Sequence, residues 1–150
     1  MIYWGEMDML EIYENVKGKR YGQLIDILSR ECNRFAFVEN RQLMEIEEER
    51  LAYVDNLISD IKWHLIERRI QKEWETQMLL EDTAYVYYFQ LNNATRQFLK
   101  EHSHSIFDWI GGLPEDLMFY QNDKCMLAVC SHERYFWVEE TIWDKFRFSK

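Results

Sequence analysis

Proline occurs once in this chain and glycine five times in 150 residues, where average usage gives roughly seven and ten. That scarcity argues against long flexible linkers and against barrels strung on tight glycine turns, and it favours helices. Three cysteines, an odd number, do not make a disulfide framework, and two of them stand only five apart at Cys125 and Cys130. Reduced thiols in a cytoplasm are the expectation. No run approaches the roughly 18 apolar residues of a membrane-spanning helix. The opening MIYWGEMDML carries acids where a secretory signal has a basic start and an apolar centre. Basic residues are also outnumbered, 18 to 27, for a formal net charge of −9. Nonspecific binding to nucleic acid or an anionic membrane needs the opposite balance.

Motifs that announce a chemistry are missing as well. There is no GxxxxGK[ST] phosphate loop, no GxGxxG, no GxSxG elbow and no HExxH. The Gly111-Gly112 pair precedes Leu-Pro and does not open a phosphate-binding helix. No cofactor is expected.

What is present describes a globular domain. The chain is 47% hydrophobic and 30% charged, without repeats or a break in composition, so residues 1–150 read as a single domain. Aromatic residues reach 16%; they fill cores and also anchor interfaces. The acidic balance favours a protein partner with a basic surface.

Hydrophobic spacing suggests the order of elements. EMDMLEIYENV, with Met7, Leu10, Ile12 and Val16, reads as a short helix ended by Gly18. YGQLIDILSREC spaces Leu24, Ile27 and Leu28 as a second amphipathic helix, and RFAFVE reads as a strand. A long third helix is expected from about Gln42 to Trp74. Val54, Ile58, Ile61 and Leu65 form one stripe on it, and Trp63, Ile66, Ile70 and Trp74 a second. TAYVYYFQL reads as a strand, followed by a helix over NNATRQFLKEH capped by Asn92 or Asn93. GGLPED is the one clear breaker. After it LMFYQ, KCMLAVCS and YFWVEE form an antiparallel β-meander, closed by a short helix or tail over TIWDKFRF. The class is α+β, with helices early, one of them long, and strands late.

The stretch KCMLAVCSHERYFWVEE gathers Cys125, Cys130, His132 and Glu133. On a regular strand Cys125 and Cys130 face opposite sides unless a bulge intervenes, which suits two packing residues better than a shared metal. His132, Glu133 and Arg134 fall on the turn between strands, a place for binding. Cys130 with His132, or His132 with Glu133, is the catalytic alternative. Asp60, His64 and Glu67 would share one line of the long helix. An ion-pair ladder is the simpler reading there, and a metal site the alternative. His102 and His104 mark a helix end. The run EIEEER, with Glu45, Glu47, Glu48 and Glu49, suits a helix start and also a basic partner. Trp63 and Trp74 on the outer stripe are candidates for a partner or homodimer contact.

RFAFVENRQLM, HLIERRIQKEWET and LPEDLMFYQNDKCMLAVCSHERYFWV resemble small cytosolic proteins of spore-forming bacteria, some labelled stage III sporulation. The resemblance implies no catalytic motif to carry over. The expectation is therefore a noncatalytic interaction protein, of an immunity or antitoxin kind. A small metal-dependent or cysteine/histidine hydrolase and a structural homo-oligomer are the alternatives.

Overall fold

A computed structural model describes residues 2–4 and 7–149, with side chains from residue 8 onward. The chain runs β1 (Ile2–Trp4), β2 (Met7–Ile12), α1 (Lys19–Glu31), β3 (Arg34–Asn40), a 3-10 turn (Arg41–Leu43) and α2 (Glu47–Leu57). It continues through a second 3-10 turn (Lys62–His64), β4 (Leu65–Gln71), β5 (Glu73–Trp74), β6 (Gln77–Met78), β7 (Ala84–Gln90) and α3 (Asn93–His102). A third 3-10 turn (Ile106–Asp108), β8 (Glu115–Gln121), β9 (Lys124–Cys130), β10 (Tyr135–Glu139) and α4 (Glu140–Arg147) complete it.

An antiparallel sheet of eight strands, in the order β1-β2-β10-β9-β8-β3-β7-β4, is the centre of the fold, and β5–β6 is a separate hairpin. Alternation along each strand divides its residues by size. Phe35, Phe37, Phe89, Phe119, Leu127 and Val129 join the core that includes residues of the helices. Phe35 stacks on Phe89 with ring centroids 5.0 Å apart. Each such ring contributes roughly 2–3 kcal/mol by leaving water. On the opposite face several inward residues are small, Ala36, Val38, Ala84, Val86 and Ala128, and they pack with Met118 and Tyr120 of β8 and with Trp74 of the hairpin. The helices follow local rules. α1 buries Tyr21, Leu24, Ile25, Ile27 and Leu28, and α3 begins with a capping box between Asn92 and Thr95.

Two expectations are overturned, and a third turns on a bulge. The long helix does not exist: α2 stops at Leu57, and the segment carrying Ile66 and Ile70 is strand β4. Val54, Ile58 and Ile61 are all buried, but Ile58 and Ile61 lie beyond the end of α2, and Ile66 and Ile70, at a spacing of four, imitate helical periodicity. β4 instead pairs with β7 from Leu65↔Phe89 to Gln71↔Ala84, with an irregularity at Ile66. It lies at the sheet edge, where charges such as Glu67, Arg68 and Arg69 are tolerated. Helices early and strands late therefore fails as a description of this α+β fold. EMDMLEIYENV likewise supplies strand β2, because Leu10 and Ile12 pair with Val138 and Phe136 of β10. Third, a register shift in β8–β9 places Tyr120 opposite Cys125 while Phe119 faces Leu127. Cys125 and Ala128 consequently share the hairpin face, and alternation from Ala128 puts Cys130 there too, where Gln77 reaches its sulfur at 3.6 Å. Among the described residues no helix is long and apolar enough to cross a membrane.

Candidate functional site

The start of β8 carries two consecutive acids, Glu115 and Asp116, that are 5% and 0% exposed. A bulge lies here: Ala36 pairs with Met118, but Val38 pairs with Glu115. Asp116 adopts a left-handed backbone, φ 56, which aspartate tolerates better than most residues. Bulges beside a site re-aim side chains, and these two diverge.

Asp116 turns to the hairpin face. Its carboxylate accepts from Trp74 Nε1 at 2.9 Å and from the Ser131 backbone N–H at 2.8 Å. The Ser131 hydroxyl in turn accepts from the Asp116 N–H at 3.1 Å. Burial raises the Asp116 carboxyl, against the opposing hydrogen bonds of Ser131 and Trp74. The reciprocal pair fixes the turn that follows β9, which Arg134 N–H closes by donating to Cys130 O at 2.9 Å. The turn is thus held at its base and open at its tip, with Ser131 buried and His132, Glu133 and Arg134 exposed.

Glu115 points the other way, into a cleft of about 450 Å³. Three parts of the chain wall it: Glu39 of β3, residues 43–53 leading into and along α2, and the 110–113 loop, with His132 at one side. Arg50 of α2 donates to both oxygens of Glu39, at 2.6 and 2.9 Å. Tyr53 OH donates to Gly112 O at 2.6 Å, latching the helix to the loop. The loop turns on Gly111, φ 70, where a side chain would be strained. Leu43, Ile46 and Tyr53 are exposed apolar residues at the rim, beside exposed Glu45 and Glu49.

Among the described residues the buried Oε2 of Glu115 makes no well-directed hydrogen bond. His132 Nε2 comes to 2.6 Å of that oxygen, a charge contact when the ring is protonated, but off the direction of a hydrogen bond. Burial, and then the charges of Asp116 and Glu39, push the Glu115 carboxyl up from 4.5 to about 8; Arg50 pulls in the opposite sense. A buried acid whose close neighbour is an imidazole off the hydrogen-bond axis holds its proton more tightly than an exposed one, and a well-placed cation reverses that.

The other candidates are dispersed. Glu47 pairs with Arg41 at 2.5 Å and accepts from Tyr85 OH at 3.2 Å, so of the acidic run Glu45, Glu48 and Glu49 remain exposed. Trp63 is 84% exposed, whereas Trp74 is buried against Asp116; they share no stripe. Asp60 lies in the turn after α2. His64 Nδ1 is 2.9 Å from Asn92 Nδ2, and Glu67 of β4 pairs with Arg69 at 2.7 Å. Without the helix that aligned them they form no cluster, and among the described residues no group of His, Cys, Asp and Glu could hold a metal ion. All three cysteines are buried and free. Burial pushes the Cys32 thiol up to about 12 and raises Cys125 and Cys130, which disfavours the thiolate a nucleophile needs.

The residues missed from sequence are Glu39, Arg50, Glu115 and Asp116. A signal existed: FAFVE and PEDLMFY each place an acid directly against a run of large apolar residues, where an exposed position is hard to arrange. Comparison with protein families, with curated proteins and with solved structures finds no match to this chain, so the functional reading rests on its own residues.

Proposed function

We infer that the protein is a noncatalytic interaction module of the cytoplasm, of the immunity or antitoxin kind, that takes a basic, partly apolar segment of a protein partner at the cleft beside α2. The observation that carries this is the coincidence at one place of exposed apolar side chains, Leu43, Ile46 and Tyr53, with the acids Glu45 and Glu49. Apolar contact supplies affinity, and the acids attract basic partners and reject acidic ones. The formal charge of −9 acts in the same direction at long range.

A random peptide library displayed on phage and selected against the immobilised protein tests this. Enriched peptides are expected to carry Lys or Arg beside apolar residues. The combined substitution Glu48→Lys and Glu49→Lys should weaken them by about tenfold or more and flatten their salt dependence. No enrichment, or enriched peptides with the same affinity and salt slope on the variant, contradicts the reading. The contact of His132 with Glu115 favours one competing reading, hydrolysis by an acid–base pair. That reading requires turnover of ester or amide substrates that His132→Ala removes.

A further inference from the structure

Glu115 differs from the other acids of the cleft in being inside it. Glu45 and Glu49 are exposed at the rim. Glu39, equally buried, is held by Arg50 through both oxygens. Glu115 is 5% exposed and, among the described residues, its Oε2 has only the His132 ring, at 2.6 Å and off the hydrogen-bond axis, although buried polar atoms nearly always have a well-made hydrogen bond. The cleft lining also includes the apolar side chains Met44, Ile110 and Leu113, a surface suited to the alkyl stem of a long basic side chain whose charged end reaches an acid.

Building on the interaction reading above, we propose that Glu115 is the receptor for one basic side chain of the partner polypeptide, whose ammonium or guanidinium group enters the cleft and donates to the Glu115 carboxylate, displacing the His132 ring from it. The source is a polypeptide rather than a free diamine, because the exposed rim residues Leu43, Ile46 and Tyr53 are contact surface that a small amine leaves uncovered. The bound cation favours the ionised acid, so entry of the side chain expels a proton from Glu115 near neutral pH. The groups facing this position are Glu39 of β3, Arg50 of α2, Asp116 of β8 and His132 of the turn. His132, if protonated, competes for the same oxygen. Affinity should therefore rise with pH and level off once Glu115 is ionised without help, at about 8.

Isothermal titration of the full chain with acetyl-Leu-Ala-Arg-Ala-Leu-amide, and with its Lys and norleucine counterparts, tests the assignment. The Arg or the Lys peptide should bind at least about tenfold tighter than the norleucine peptide. Proton release, read from buffers of different ionisation enthalpy, should accompany only the basic peptides. Glu115→Gln should erase both the preference and the proton release, while Glu45→Gln with Glu49→Gln weakens binding and keeps them. Equal binding of all three peptides, sensitive to Glu48→Lys with Glu49→Lys, would overturn the role of Glu115 and leave the interaction reading standing. No binding of any of them removes both. Agmatine binding as tightly as the Arg peptide would overturn the polypeptide assignment.

Discussion

Glu115 and Asp116 are adjacent in the chain and nearly equally buried, yet the two faces of the sheet treat them differently. On the hairpin face Asp116 receives Trp74 Nε1 and the Ser131 N–H, and the small residues Ala36, Ala84 and Ala128 leave space for the indole. On the cleft face Glu115 sits among a mixed lining, with Met44, Ile110 and Leu113 beside the Glu39–Arg50 pair, and has one imidazole in contact off the hydrogen-bond axis. A buried acid surrounded by fixed donors holds a structure together. A buried acid facing a cleft without a donor lowers stability when ionised and gains most from a ligand.

Substitution should cost most at the hairpin. Trp74→Ala should cost about 3–5 kcal/mol, since it empties the space over three alanines and removes a buried donor. Urea denaturation reads this, and a loss near ~1 kcal/mol would mean that the hairpin is only loosely docked. Asp116→Ala should cost about 2–4 kcal/mol, because it leaves Trp74 Nε1 and the Ser131 N–H without their acceptor and puts alanine in a left-handed backbone. It should also loosen the turn bearing His132, visible as faster amide exchange over residues 131–134.

At the cleft the largest structural effect belongs to Arg50. Arg50→Met should destabilise by about 2–3 kcal/mol, below the range for a fully buried pair, because the side chain of Arg50 is 23% exposed. Glu115→Gln should do the least, and its sign should depend on pH. The folded-state pKa of Glu115 is raised from 4.5 to about 8, so the native protein binds the proton more tightly than the unfolded chain. Its contribution to stability is complete below about 4.5 and declines as pH rises to about 8. Wild type and Glu115→Gln should therefore be close at pH ~5, and the variant more stable by at least ~1 kcal/mol at pH ~9. Glu75 is also raised, but it acts alike in both proteins; Asp116, coupled to Glu115 by charge, ionises more easily in the variant, which adds to the difference at high pH. A variant less stable at both pH values would show that Glu115 has a structural partner.

Much of the architecture can be read locally. α1, β3, β7, α3 and the three strands after residue 113 coincide with apolar periodicity or runs of β-branched and aromatic residues. The segment from 58 to 71 is different. It contains no proline or glycine to end a helix, and Ile58, Ile61 and Leu65 continue the helical spacing of Val54. Pairing with β7 decides its form, and that partner is remote in sequence. The same limit hid the site. Cys125, Cys130, His132 and Glu133 draw attention by residue type, but of these only His132 lines the cleft. Glu39, Arg50 and Glu115 meet there from two strands and a helix, and their spacing carries no periodic signal. Asp116 and Glu115 look alike in the sequence; only the bulge separates their roles.

The difference between the two acids is tested most directly by following the Glu115 carboxyl carbon by ¹³C NMR through a pH titration, with and without saturating acetyl-Leu-Ala-Arg-Ala-Leu-amide. A midpoint of about 8 is expected for the free protein, with a clear downward shift when the basic side chain occupies the cleft. A free-protein midpoint near the ordinary 4.5, unmoved by the peptide, would contradict this role for Glu115.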